Sequence, residues 1–183
     1  MQNSVLLRVF LCLYALISIP AVEAIESTSP PIALSSSLKK HLSWHSVVEY
    51  AKTTLPQEGV LIQKSDGFVY LKVDDQYIHA LLPLLNLQSQ GFKEPPYFRK
   101  NDSPGAHISV FYSDEIEHPL KEKGRFFPFE LKNIVIVSPR RGIQYAVLQV
   151  ESPALEQLRK KYGKPSKLHG HEFHITLGKK SHH

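Results

Sequence analysis

Cysteine is almost absent from this 183-residue chain, and Cys12 stands alone. One thiol excludes an intrachain disulfide framework and a cysteine-built zinc site. Long hydrophobic runs are scarce too. Val9 to Ile19 is an apolar run of eleven residues, whereas a membrane-spanning helix needs about 20. No cluster of paired carboxylates suggests a metal centre. Neither sign of charge dominates: 22 Lys and Arg stand against 17 Asp and Glu, giving a net charge of +5 and a pI near 9.2. That balance suits a phosphorylated substrate or an anionic surface and is too weak to imply duplex DNA binding.

What is present describes one globular domain behind a leader. The apolar fraction of 42% and charged fraction of 21% fit a chain that buries a core. Arg8, the apolar run, Pro20 and the small-residue ending Val22-Glu23-Ala24 follow the plan of a secretory signal peptide over residues 1–24. The expectation is export to a periplasm or the medium, with no membrane span in the mature chain. Residues 25–37, rich in serine and proline, read as a flexible linker. The domain itself is expected over 38–183.

Along that domain, helix signals begin near Leu38. Ser46 to Glu49 has capping-box spacing, and Leu38, Leu42, Val48 and Ala51 make a stripe. Strands are predicted over 59–63, 68–73, 106–112, 127–137 and 143–150. One helix is expected through Tyr77 to Leu82, ended or kinked by Pro83, and another over 154–162, opened by Ser152-Pro153 and closed by Gly163. Residues 88–105 form a long loop of the kind that is often functional.

Two tetrapeptides stand out, His107-Ile108-Ser109-Val110 and His174-Ile175-Thr176-Leu177. On an extended strand side chains alternate, so each histidine shares a face with the hydroxyl residue two positions on, about 7 Å away. Each motif follows the same series of turn, tyrosine-bearing strand, helix and loop. Tyr70 and Tyr145 each lie three residues after a glycine, Gly67 and Gly142. The repetition predicts two similar lobes with the motif strands lining a cleft between them. Paired imidazoles near their unperturbed pKa of about 6.5 suit proton exchange at neutral pH. One takes a proton from water and the other gives one to a departing oxygen, while Ser109 and Thr176 donate to phosphoryl oxygens. No metal or other cofactor is required.

These two His-apolar-Ser/Thr-apolar motifs resemble the signatures of the 2H phosphoesterase superfamily. It includes the LigT-like RNA 2′,3′-cyclic phosphodiesterases and the 2′,5′-RNA ligases. The resemblance covers residues from about 45 to 179. It implies a bilobal α+β fold, with two pseudo-symmetric antiparallel sheets, outer helices and a central cleft. It also implies hydrolysis of a cyclic or RNA-type phosphodiester. His107 and His174 then become the acid–base pair, and Ser109 and Thr176 the phosphate donors. The expected partner is a small nucleotide or RNA end, met by a monomer. Phe111, Tyr70, Tyr145 and Lys167 are candidates for holding the rest of the substrate. Two rival readings are a non-catalytic anion-binding module and zinc binding by the histidine-rich stretch of His169, His171, His174, His182 and His183.

Overall fold

The computed structural model of the protein describes residues 43–181. The expected signal peptide and linker, Cys12, Leu38, Leu42, His182 and His183 lie outside them. Helix α1 spans Trp44–Thr54, and its N-cap is Ser43, whose side chain accepts the Ser46 N–H at 3.1 Å. The expected capping box at Ser46 is not used, and Glu49 pairs with Lys52 at 2.9 Å instead. Strands β1 (Glu58–Gln63) and β2 (Val69–Lys72) form an antiparallel pair.

Next come two single-turn helices, α2 (Gln76–His79) and α3 (Leu81–Leu84). The expected single helix breaks at Ala80, before Pro83. Pro83 sits inside the first turn of α3, where a backbone N–H has no helical partner to lose. After the long loop come β3 (His107–Phe111), β4 (Phe126–Pro128), β5 (Glu130–Arg140) and β6 (Ile143–Glu151). Helix α4 (Pro153–Lys161) and β7 (His174–Ser181) complete the described residues. Ser152 caps α4 through the Leu155 N–H, with Pro153 in its first turn.

The strands form a single seven-stranded sheet in the order β4-β1-β2-β3-β7-β6-β5. This corrects the expectation of two sheets. Two antiparallel half-sheets exist, β4-β1-β2-β3 and β7-β6-β5, but they are joined by one residue pair, Ile108 with Ile175. The expected strand over 127–137 is also two strands. Its first part pairs with β1, and its second pairs with β6 at the opposite edge. Only Phe129 separates β4 from β5, so the sheet curls until its two edges meet. Phe129 is buried there against Tyr77, with ring centroids 5.9 Å apart.

One face of the sheet is apolar throughout. Leu61, Leu71, Ile108, Leu148, Ile175 and Leu177 are fully buried, in one core cluster with Val47 and Ala51 of α1, Ile78 and Leu81 of α2 and α3, and Leu155 of α4. Each such aliphatic side chain contributes about 1.5–3 kcal/mol by leaving water. The alternate side chains of the same strands form the other face, where both motif histidines lie. No helix among the described residues is long and apolar enough to cross a membrane.

Candidate active site

The pairing of Ile108 with Ile175 sets the geometry of the site. In an antiparallel pair it places His107 opposite Thr176 and Ser109 opposite His174. Each histidine therefore meets the other motif's hydroxyl, and the two imidazoles lie on a diagonal across the seam. They are near enough for His174 to act on the charge of His107.

Both rings are oriented by the same device. His107 Nδ1 bonds the Gly105 carbonyl at 2.8 Å, and His174 Nδ1 bonds the Glu172 carbonyl at 2.9 Å. A carbonyl only accepts, so Nδ1 carries the hydrogen in each case. The Nε2 atoms remain for chemistry: lone pairs when the ring is neutral, donors when it is charged.

The two histidines differ in what surrounds them. His107 is 8% exposed, whereas His174 is only half-buried. Three rings enclose His107: Tyr97 at 4.7 Å between centroids, Tyr70 at 5.5 Å and Phe68 at 6.0 Å, all edge-on. Burial holds the His107 pKa below the ordinary imidazole value. Positive charge from Lys72 and His174 adds to that, and the Gly105 carbonyl opposes it. His107 is thus a neutral base at neutral pH.

A small scaffold fixes the carbonyl that aims His107. Lys72, opposite His107 on β2, pairs with Asp75, and Asp75 Oδ1 accepts the Ala106 N–H at 2.8 Å. Gly105 sits between them with φ of +64°, and a Cβ there would overlap Asp75 Oδ1 and Lys72 Nζ. The left-handed backbone favours glycine at this position, and a side chain there would displace the Lys72–Asp75 pair.

Each motif strand carries a bulge just after its hydroxyl residue. On β3, Ser109 pairs with Tyr70 but Phe111 pairs with Val69, so Val110 is the extra residue. On β7, Thr176 pairs with Val147 but Gly178 pairs with Ala146, so Leu177 is extra. The alternation of faces is interrupted there. This corrects the expectation for Phe111, which does not continue the site face. It is fully buried in the core, with the Arg159 guanidinium 4.9 Å from its ring centre.

Arg159, 1% exposed, also donates to the Val110 carbonyl, which stands at the bulge. It bonds Glu115 at 2.8 Å and the Pro165 carbonyl at 2.8 Å. Burial pushes the Glu115 carboxyl up, yet the Arg159 and Tyr112 N–H bonds hold it below the usual carboxylate range. One buried guanidinium therefore ties the first motif's bulge to the loop that leads into the second.

The register also corrects the tyrosine equivalence. Tyr70 opposite Ser109 corresponds to Val147 opposite Thr176, and Lys72 opposite His107 corresponds to Gln149 opposite His174. Tyr145 lies further along, paired with Lys179, whose ammonium is 5.9 Å from the Tyr145 ring centre. Tyr70 is buried beside His107 as a wall of the site. Lys167 does not reach into the site as a free cation, because Glu172 engages its ammonium. Among the described residues no three His, Cys, Asp or Glu side chains gather as a metal site. His169 instead packs on Tyr112, ring to ring at 5.0 Å.

Six residues around the site were not singled out by the sequence: Phe68, Lys72, Asp75, Tyr97, Gly105 and Arg159. Tyr97 had an indirect signal, the length of the loop that bears it. Gly105 and Asp75 are common turn residues, and their roles appear only once β2 and β3 are paired.

The chain matches the family model described as "Swiss Army Knife, 2H phosphoesterase domain" over residues 69–183, more than half of its length. No curated protein and no solved structure matches it. The matched span holds β2 to β7, both motif strands and the seam between them. The chain belongs to the 2H phosphoesterase superfamily, and its function is of the phosphodiesterase type.

Proposed function

We propose that this protein hydrolyses a cyclic or RNA-type phosphodiester, 2′,3′-cyclic or 2′,5′-linked, by two-histidine acid–base catalysis without a metal. The observation that carries this reading is the matched orientation of the two rings. Each gives its Nδ1 hydrogen to a carbonyl two residues back and leaves Nε2 for the site. His107, neutral through burial, takes a proton from the attacking water. The water oxygen bonds to phosphorus, and the phosphorus–oxygen bond to the ribose breaks. His174, the more exposed of the two, gives a proton to the departing ribose oxygen. Ser109 and Thr176 donate hydrogen bonds to the non-bridging oxygens, where negative charge gathers. The aromatic wall of Phe68 and Tyr70 supports a nucleoside as the rest of the substrate. The substrate is a small nucleotide or an RNA end met outside the cytosol by an exported monomer.

The test is incubation of the purified protein with 2′,3′-cyclic nucleotides, 2′,5′-linked dinucleotides and simple phosphodiesters in the presence of a chelator. Turnover of a cyclic or 2′,5′-linked substrate is expected. A folded protein that binds these compounds and hydrolyses none is an anion-binding module instead.

A further inference from the structure

Tyr97 is the residue of the long loop that touches both motifs. Its ring edge meets the His107 ring at 4.7 Å, and its hydroxyl lies against the Thr176 side chain. That hydroxyl has no fully formed hydrogen bond within the described residues. Tyr97 itself is half-buried at the site. The register sets Thr176 opposite His107, so the Tyr97 ring against His107 brings the Tyr97 and Thr176 hydroxyls together as neighbouring donors.

The loop holds Tyr97 from several directions. Pro95 and Pro96 restrict the chain before it, and the Tyr97 N–H bonds the Pro95 carbonyl at 2.8 Å. The Tyr97 carbonyl accepts the Gly105 N–H at 3.0 Å, which links it to the residue that aims His107. Phe98 packs on His79 at 4.6 Å, and Asp102 pairs with Lys64 at 3.1 Å. Lys93 bridges to Lys179 through two backbone bonds of 2.8 and 2.9 Å. A side chain anchored in this way keeps its position before substrate arrives, which is what a transition-state donor requires. Burial raises the phenol pKa, with the Thr176 hydroxyl partly opposing, so the hydroxyl keeps its hydrogen.

We propose that Tyr97 is a third hydroxyl of the phosphoryl site, donating to the same non-bridging oxygen as Thr176. The proposal rests on the phosphodiesterase reading and adds a substrate-contacting residue to it. No proton is transferred, since the phenol only donates a hydrogen bond.

The test is Tyr97→Phe, which keeps the ring against His107 and removes the oxygen. With the substrate found above, kcat falls about ten- to a hundredfold while KM changes little. Cyclic phosphorothioate diastereomers give a readout that packing alone does not move. Sulfur accepts hydrogen bonds poorly, so the wild-type protein is slowed more by sulfur at one non-bridging position. That stereochemical preference shrinks in Tyr97→Phe. Binding of inorganic phosphate, followed as the rise in melting temperature it causes within each variant, tests the site independently of turnover. Tyr97→Phe is expected to reduce that rise, and reading it within each variant corrects for any loss of intrinsic stability. Equal kcat, equal phosphorothioate preference and an equal phosphate response in the two proteins overturn the proposal. So does a wild-type protein that binds no phosphate. If phosphate binding depends on Tyr97 but nothing is hydrolysed, the catalytic reading fails and the Tyr97 site stands.

Discussion

The two halves of the sheet repeat one design and then depart from it. In both, a histidine bonds the carbonyl two residues back, the hydroxyl residue follows two positions on, and a bulge comes next. In the first half the histidine is walled by Phe68, Tyr70 and Tyr97 and is 8% exposed. In the second half the corresponding strand neighbours are Val147 and Gln149, and His174 is half-buried. A repeated backbone thus presents two imidazoles in unequal surroundings, and burial holds the first one's pKa down. In the proposed mechanism it is the walls, not the motifs, that mark His107 as the base.

The largest expected effect tests that assignment directly. His107→Ala and His174→Ala should each lower turnover about 10²- to 10⁴-fold on a substrate with a poor leaving group. On a 4-nitrophenyl ester, whose departing oxygen needs no proton, His174→Ala should recover most activity and His107→Ala should not. Equal recovery of both would break the assignment of roles.

A second contrast concerns the bulges. The first is clamped by the buried Arg159, and Arg159→Met should cost about 3–5 kcal/mol by leaving the Glu115 carboxylate without its partner. The second lies where Gly178 packs against Leu82, and a Cβ there would stand 3.1 Å from Leu82 Cδ1. That flexible side chain can give way, so Gly178→Ala should cost less than Arg159→Met in a urea unfolding series. Gly105→Ala falls between these two at about 1–3 kcal/mol, because its φ is +64° and the space is occupied. It should also lower kcat, by shifting the carbonyl that aims His107.

The pH dependence follows from the wall around His107. Its folded pKa lies below the unfolded value near 6.5, so the unfolded chain binds the proton more readily. Stability from this group is complete above about pH 6.5 and declines as pH falls below it toward the folded pKa. The acidic limb of kcat/KM should lie below 6.5 for the same reason, and a limb at or above 6.5 would contradict His107 as the buried base. Phe68→Ala and Tyr70→Ala should move that limb upward. The smallest effect is expected at Lys167, where Lys167→Ala should leave KM unchanged, since Glu172 already holds its charge.

Much of this was legible in the chain. The strand pattern around Ile108 and Ile175 marks a core face, and the histidine–hydroxyl alternation marks the face opposite. The Ser152-Pro153 cap is local chemistry, so it reads correctly from a few residues. What failed depended on pairing between distant strands. Phe111 obeys strand parity until a bulge, invisible in the residues themselves, turns it into the core. Tyr70 and Tyr145 share a spacing from glycine, yet register matches Tyr70 with Val147. Two expected sheets proved to be one, because a single pair of isoleucines decides the matter. Tyr97 could not be ranked among loop residues until β3 and β7 had been placed side by side.

That single pair has a consequence for how activity arises during folding. Ile108 and Ile175 are 67 residues apart in the chain, whereas each motif strand has a nearer partner within its own half. The seam is therefore a long closure that gains only one backbone pairing, and contacts of that kind form after the local ones have made them worthwhile. Each half can pair its strands before the imidazoles meet, while the helices pack across the seam, α1 against β5, α2 and α3 against β7, and α4 against β3 and β4. Enzymatic activity should then return later than secondary structure when the protein is refolded, and its appearance marks the moment when the two halves first share a sheet.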